Sequence, residues 1–254
     1  VRGEHSIGSR SATGAQWNSD SKKEIKSFLV DNEHASQVVL NEVSTQFSIT
    51  NPFDLIQKSH IRGGYFEQKE LMELAEHIPA KSHILEVGAN IGNHGLFYLQ
   101  QCQASYVDFV EPNPSALYIL KKNLSINNIE DNRFSIHEVG AGATASSFSI
   151  DEVEDNLGAS SLNQTEGGDI QVLPLDELDI KGQKIDFIKI DVEGMEIEVL
   201  AGAKNLFSLH RPLLYIEVAN ANETAFKEWM ELSKYELVLK HTVVHASNYL
   251  VKSL

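Results

Sequence analysis

Cysteine is nearly absent from this chain: Cys102 stands alone, so no intrachain disulfide can form and nothing in the cysteine usage asks for an oxidising compartment. A small apolar residue near a helix end is the expected role for it, not a catalytic thiol. Long apolar runs are also missing, and none approaches the roughly 18 residues that would span a bilayer. Basic residues are scarce, with 21 Lys and Arg against 36 Asp and Glu, a formal charge of −15. That sign repels nucleic acid and anionic membrane surfaces at long range, and neutral or cationic small molecules are the easier partners. The composition implies a soluble, cytoplasmic protein, and homo-oligomerisation stays open. At 254 residues there is room for one sizeable α/β domain and an appendage, but not for two full domains.

Residues 1–20 are Gly, Ser, Asn and Arg with little apolar content, a composition that cannot offset its own ordering entropy and predicts a flexible tail. Residues 21–50 form an expected N-terminal helical extension, in which Ile25, Phe28 and Leu29 recur at helical spacing as far as about Phe47. Asn51-Pro52 punctuates the chain, and residues 51–254 then read as one domain of alternating strands and helices. Strands are expected at Ile84 to Val87, Tyr106 to Val110, Phe134 to Val139, Ile185 to Ile190 and Leu213 to Val218, with a short extra one at Ser147 to Ile150. Helices are expected after the first two, from Met195 to Phe207, and from Glu223 to Leu232. The closing pair, Glu236 to Thr242 and Asn248 to Val251, has no helix-length insert and predicts an antiparallel C-terminal hairpin. The pattern predicts a Rossmann-like α/β fold, with a doubly wound, mostly parallel sheet and right-handed crossovers.

The strongest local chemistry is Glu86-Val87-Gly88-Ala89-Asn90-Ile91-Gly92-Asn93-His94-Gly95. Gly88 lets the chain turn sharply off a strand, and Gly92 permits close approach of the backbone to a ligand or of the helix to the sheet. A dinucleotide fingerprint would carry a glycine where Asn90 stands, which disfavours a pyrophosphate and an NAD-dependent oxidoreductase. Glu86 suits the ammonium of a methionine moiety. Glu111 follows Gly92 by 19 residues, close to the roughly 20 expected for an acid that accepts hydrogen bonds from ribose hydroxyls.

These residues, together with Val110-Glu111-Pro112-Asn113-Pro114 and Phe187-Ile188-Lys189-Ile190-Asp191-Val192-Glu193-Gly194-Met195-Glu196, resemble the FkbM family of S-adenosylmethionine-dependent methyltransferases. The resemblance covers about 64–218, and Lys-Ile-Asp-Val-Glu-Gly is its most specific part. It implies a class I methyltransferase fold, S-adenosyl-L-methionine as cofactor, and O-methylation of a sugar, glycan or natural-product hydroxyl. Carried onto this chain, it implies that Glu86, Gly88, Ala89, Asn90, Gly92 and Asn93 hold the methionine part. Glu111 takes the ribose, Pro112 and Asn113 flank it, and Val139 and Gly140 edge the adenine. Glu67 helps close the site. The sequence departs from the family in one place: Asn93-His94 stands where family loops often carry an aromatic residue.

Methyl transfer needs an acceptor oxygen held in line behind the methyl group, and a base helps when that oxygen is a hydroxyl. Asp191 and Glu193 follow a central strand at the crevice where open sheets bind ligands, and Lys189 shares a sheet face with Asp191. These three are the expected catalytic residues, with Asp191 also near the cofactor. A structural role competes for each, since acids favour a helix N-terminus and Lys189 suits an ion pair. Two carboxylates make no metal cage, and no metal is expected. The alternatives are an RNA 2'-O-methyltransferase, which the acidic composition disfavours, and a cofactor-binding scaffold without transfer activity.

Overall fold

The computed structural model describes residues 19–153, 155–165, 167–180 and 184–254. The tail expected at 1–20 lies outside them up to residue 18. Helix α1 spans Ser19–Asp31, and an antiparallel hairpin follows, β1 (Ala35–Leu40) and β2 (Val43–Ser48). The helical extension expected over 21–50 is therefore corrected at its second half. Val38, Val39, Val43, Thr45 and Phe47 favour strand, and Leu40 pairs with Val43 across Asn41 and Glu42, both at positive φ (49 and 66). Two left-handed residues between paired strands make the tight hairpin turn whose twist suits a strand pair. Val38 and Phe47 are fully buried in the main core, whereas α1 has no buried residue.

Next come α2 (Leu55–Ile61), α3 (Gln68–Ala75), β3 (His83–Val87), α4 (Asn93–Gln100), β4 (Tyr106–Val110), α5 (Pro114–Ile126) and β5 (Phe134–His137). A small sheet is built from β6 (Gly140–Ala141), β7 (Ser146–Asp151), β8 (Ser161–Gln164) and β9 (Ile170–Leu173). The chain then returns as β10 (Phe187–Ile190), α6 (Glu196–Ala201), α7 (Lys204–His210), β11 (Leu213–Ala219), α8 (Glu223–Ser233), β12 (Tyr235–Thr242) and β13 (Ala246–Ser253). No helix among the described residues is long and apolar enough to cross a membrane.

The large sheet has seven strands in the order β12-β13-β11-β10-β3-β4-β5. The five strands from β11 to β5 are parallel, and β13 runs antiparallel to both β11 and β12, as expected of the closing hairpin. The chain moves outward from β3 through β5 and then crosses to β10 on the other side of β3. That reversal places a crevice at the carboxyl ends of β3 and β10. Alternation sorts the side chains: Ile84, Phe187 and Tyr215 join a core with α3, α4 and α5, while Leu85, Ile188, Leu214 and Ile216 join one with α6, α7 and α8.

The single helix expected from Met195 to Phe207 is two helices. A Cβ on Gly202 would stand 2.0 Å from the Gly142 carbonyl oxygen, so the chain is pressed against a neighbouring loop there. Asp176 then caps α7, accepting from the Asn205 and Leu206 amides at 2.9 and 2.8 Å. Of the small sheet only β7 was expected, because β8 is polar and β9 buries just Ile170 and Val172. β5 stops at His137, leaving Val139 beyond the strand end.

Candidate active site

A cavity of about 240 Å³ opens at the crevice between β3 and β10. Its floor is the loop after β3. Gly88 has φ +80, and a Cβ there would lie 1.8 Å from the Asp191 carbonyl oxygen, so only glycine lets the two loops meet. Asn90 adopts φ 50, a left-handed conformation that asparagine tolerates better than most side chains. Gly92 serves a different purpose from ligand approach: its missing Cβ makes room for Leu120 of α5, 2.5 Å away, and it does not line the cavity.

Glu111, at the end of β4, ties this loop to the next strand. Its two oxygens accept from the Asn90 amide at 2.7 Å and the Asn113 amide at 2.8 Å. Burial pushes its carboxyl up to about 7, against those two amides, which favour the charged form. Asn113 caps α5 through the Ser115 amide at 2.8 Å, with Pro114 opening the helix. Gly88, Ala89, Asn90, Glu111, Pro112 and Asn113 all line the cavity, as do Val139 and Gly140. Asn113 Nδ2 and Asn90 Oδ1 are buried atoms without a hydrogen-bond partner among the described residues.

Glu67, Asn93 and Asp191 also line the cavity. Asn93 is a brace. Its Oδ1 accepts from the Phe66 amide at 3.0 Å and lies 2.9 Å from His60 Nε2, while its Nδ2 donates to the Phe66 carbonyl at 3.1 Å. Burial lowers His60 to about 4, so a neutral ring donates to Asn93, and it stacks on Phe47 with centroids 3.7 Å apart. This brace holds Glu67, itself at φ 56, over the floor, where it lies 3.2 Å from His94 Nε2.

Glu86 is placed elsewhere than expected. It is fully buried, does not line the cavity, and stands beside Lys189 in the β3–β10 register. Burial pushes it up to about 8, opposed by the Lys189 charge. Alternation turns its side chain toward α4, beneath the loop, and away from a ligand above it.

Lys189, Asp191 and Glu193 line the cavity from β10 and the turn that follows it, and the Lys189 and Asp191 charges both act on Glu111, the first favouring its ionised form and the second opposing it. Lys189 is buried and its Nζ lies 3.0 Å from Asp191 Oδ2. Burial works against that ammonium, but Asp191 and Glu86 outweigh it and hold it above the usual lysine value. Glu193, at φ 50 in the turn after β10, is pushed up to about 7 by partial desolvation, then by Asp191 and Glu196. Glu196 lies outside the cavity and accepts from the Gly194 amide and the Asn222 side chain, both at 2.7 Å.

Sequence reasoning missed Glu217, which lines the cavity from β11. An acid interrupting Ile216 and Val218 at a strand end was the available signal. It also missed the wall formed by Leu55, Ile56, Asn156, Leu157, Gly158 and Ser160. That wall is held by Asp54, which accepts from the Leu157 amide at 3.1 Å, and by Asp155, which pairs with Lys22 and Lys26 of α1. Among the described residues no group of three or more His, Cys, Asp or Glu is disposed to hold a metal ion.

Residues 86–237 match the model of the methyltransferase FkbM domain, more than half of the chain. The chain belongs to the FkbM methyltransferase family. Among solved structures, it is 24% identical to the FkbM methyltransferase of Methylobacillus flagellatus KT, with a TM-score of 0.48, over 67% of this chain and 43% of that one. The chain thus spans less than half the length of that family member. A protein of the NADB-Rossmann superfamily from Streptococcus agalactiae is 16% identical, with a TM-score of 0.51, over 73% of this chain and 68% of that one, and it shares the fold. TrmK of M. capricolum, solved with S-adenosyl-homocysteine, is 13% identical over 72% of this chain and 67% of its own, with a TM-score of 0.47. No curated protein matches.

Proposed function

We propose that this FkbM family member binds S-adenosyl-L-methionine and methylates a hydroxyl group of a sugar, glycan or small natural product. The observation that carries the reading is Glu111: a buried carboxylate, oriented by the Asn90 and Asn113 amides, at the wall of a cavity where two neighbouring parallel strands end. Those amides use one lone pair on each oxygen and favour the ionised form, leaving acceptor capacity for a vicinal diol.

In this reading Gly88, Ala89, Asn90, Pro112, Asn113, Val139 and Gly140 surround the nucleoside, and Glu67, Asn93 and Asp191 stand toward the methionine end. Glu86 and Gly92 act behind the surface, on Lys189 and on helix packing. The bound cofactor supplies the electrophilic methyl group. Lys189, Asp191 and Glu193 orient the acceptor oxygen, and in-line positioning is the main source of rate. The carboxylates Glu67, Asp191, Glu193 and Glu217 of the cavity wall suit a neutral or cationic acceptor and work against an RNA backbone.

Calorimetry tests the reading. Micromolar binding of S-adenosylmethionine is expected, and Glu111→Ala should weaken it by about ten- to a hundredfold, the worth of hydrogen bonds to a charged group. An alanine variant that stays folded and keeps full affinity would overturn the proposal.

A further inference from the structure

We propose that Glu217 is the residue that takes the acceptor's hydroxyl proton, while the Lys189–Asp191 pair holds the acceptor in place. The inference rests on the methyl-donor reading above. It comes from accounting for the partner of every carboxylate in the cavity wall. Glu111 is committed to two backbone amides. Asp191 is held by Lys189 at 3.0 Å, and Glu67 lies 3.2 Å from His94 Nε2. Glu193 and Glu217 remain, and neither makes a hydrogen bond or ion pair to a described residue.

Backbone geometry separates these two. Glu193 sits in a left-handed turn next to Gly194, which has φ 101, and the residue is exposed. Glu217 is half-buried on β11, one step beyond the Ile190–Ile216 pair, so it stands across from Asp191 at the carboxyl end of the sheet. Alternation puts it on the same face as Lys189 and Tyr215. A strand holds a proton acceptor in a fixed position, which a turn does not. The charged groups around it are Lys189 from β10, Asp191 and Glu193 from the turn that follows, and Glu67 from ahead of α3. Burial and those three acids push its carboxyl up to about 8, matching the strength that a base at neutral pH requires.

In the transfer the acceptor oxygen forms a bond to the methyl carbon, and the carbon–sulfur electron pair stays on the departing thioether. The hydroxyl proton passes to a Glu217 oxygen and from there to solvent. A base in hydrogen-bond reach of that oxygen also lies close to the sulfonium, whose positive charge favours its ionised form.

The test is calorimetric titration near neutral pH, in buffers of different ionisation enthalpy, comparing S-adenosylmethionine with S-adenosylhomocysteine. The wild-type protein is expected to release more proton with the sulfonium ligand than with the neutral thioether. Glu217→Gln should lose at least half of that excess, keep its affinity for S-adenosylmethionine within about threefold, and show no fall in thermal midpoint. Glu193→Gln should keep the excess. Full excess release from Glu217→Gln, loss of the excess in Glu193→Gln instead, or a larger loss of donor affinity in Glu217→Gln would each overturn the inference. A wild-type protein that binds neither ligand removes the donor reading and this inference with it. Retained binding with unchanged proton release removes this inference alone.

Discussion

Two parts of the cavity wall, one around Glu111 and one around Glu217, are built on opposite electrostatic principles. Around Glu111 the carboxyl and the helix end are met by the protein: two amides donate to the carboxyl oxygens, Asn113 caps α5, and Gly88 makes room for the Asp191 carbonyl. In the second part four carboxylates, Glu67, Asp191, Glu193 and Glu217, face one buried lysine and His94. Burial pushes Glu193 and Glu217 up to about 7 and about 8 with neighbouring acids adding to it, whereas at Glu111, also about 7, two backbone amides work against burial. The first part is preorganised. The second is crowded with like charge, and the difference separates a carboxyl fixed by backbone donors from carboxyls whose charged neighbours are mostly of their own sign.

The strongest way to break this contrast is Gly88→Ala. Its φ of +80 and the 1.8 Å approach to the Asp191 carbonyl leave no place for a methyl group. A loss of about 3 kcal/mol or more is expected by denaturant titration, from strain and overpacking together. Donor binding should disappear with it.

A smaller effect sharpens the crowded part. A carboxyl whose folded value is raised holds its proton more tightly in the native state, so stability falls as pH rises from its ordinary 4.5 through the folded value of about 8 for Glu217. Replacing Glu217 by Gln should therefore raise the thermal midpoint by a few degrees near pH 8 and change it little near pH 5. An equal change at both pH values would show that like-charge crowding is not the cause.

The smallest effect concerns the wall. α1 buries no residue, and its ion pairs to Asp155 are partly exposed. Lys26→Gln should cost no more than about 1 kcal/mol. Faster amide exchange at residues 156–160, without a change at Asn90, is the expected readout.

Much of the wall around Glu111 was legible in the linear chain because its logic is local. A glycine that must turn off a strand, an acid at the next strand's end and an asparagine before a proline-led helix each express short-range backbone chemistry. The same locality misled in two places. Ile25 to Phe47 carries helical spacing in its first half, but the β-branched residues around Asn41-Glu42 make a hairpin whose Val38 and Phe47 enter the core. The helix expected past Ala201 breaks at Gly202 because Gly142 and Asp176, distant in sequence, press on it and cap its successor.

Short-range chemistry was thus enough for the fold class, the seven strands of the large sheet and the glycine turn after β3. Long-range packing settled which acids meet. Glu86 and Glu217 look alike as acids in apolar strands, yet one lies beneath the β3 loop against Lys189 and the other opens into the cavity beside Asp191. Strand order and register set that difference, and both arise from pairing between segments far apart in the chain, which no local pattern of residues encodes.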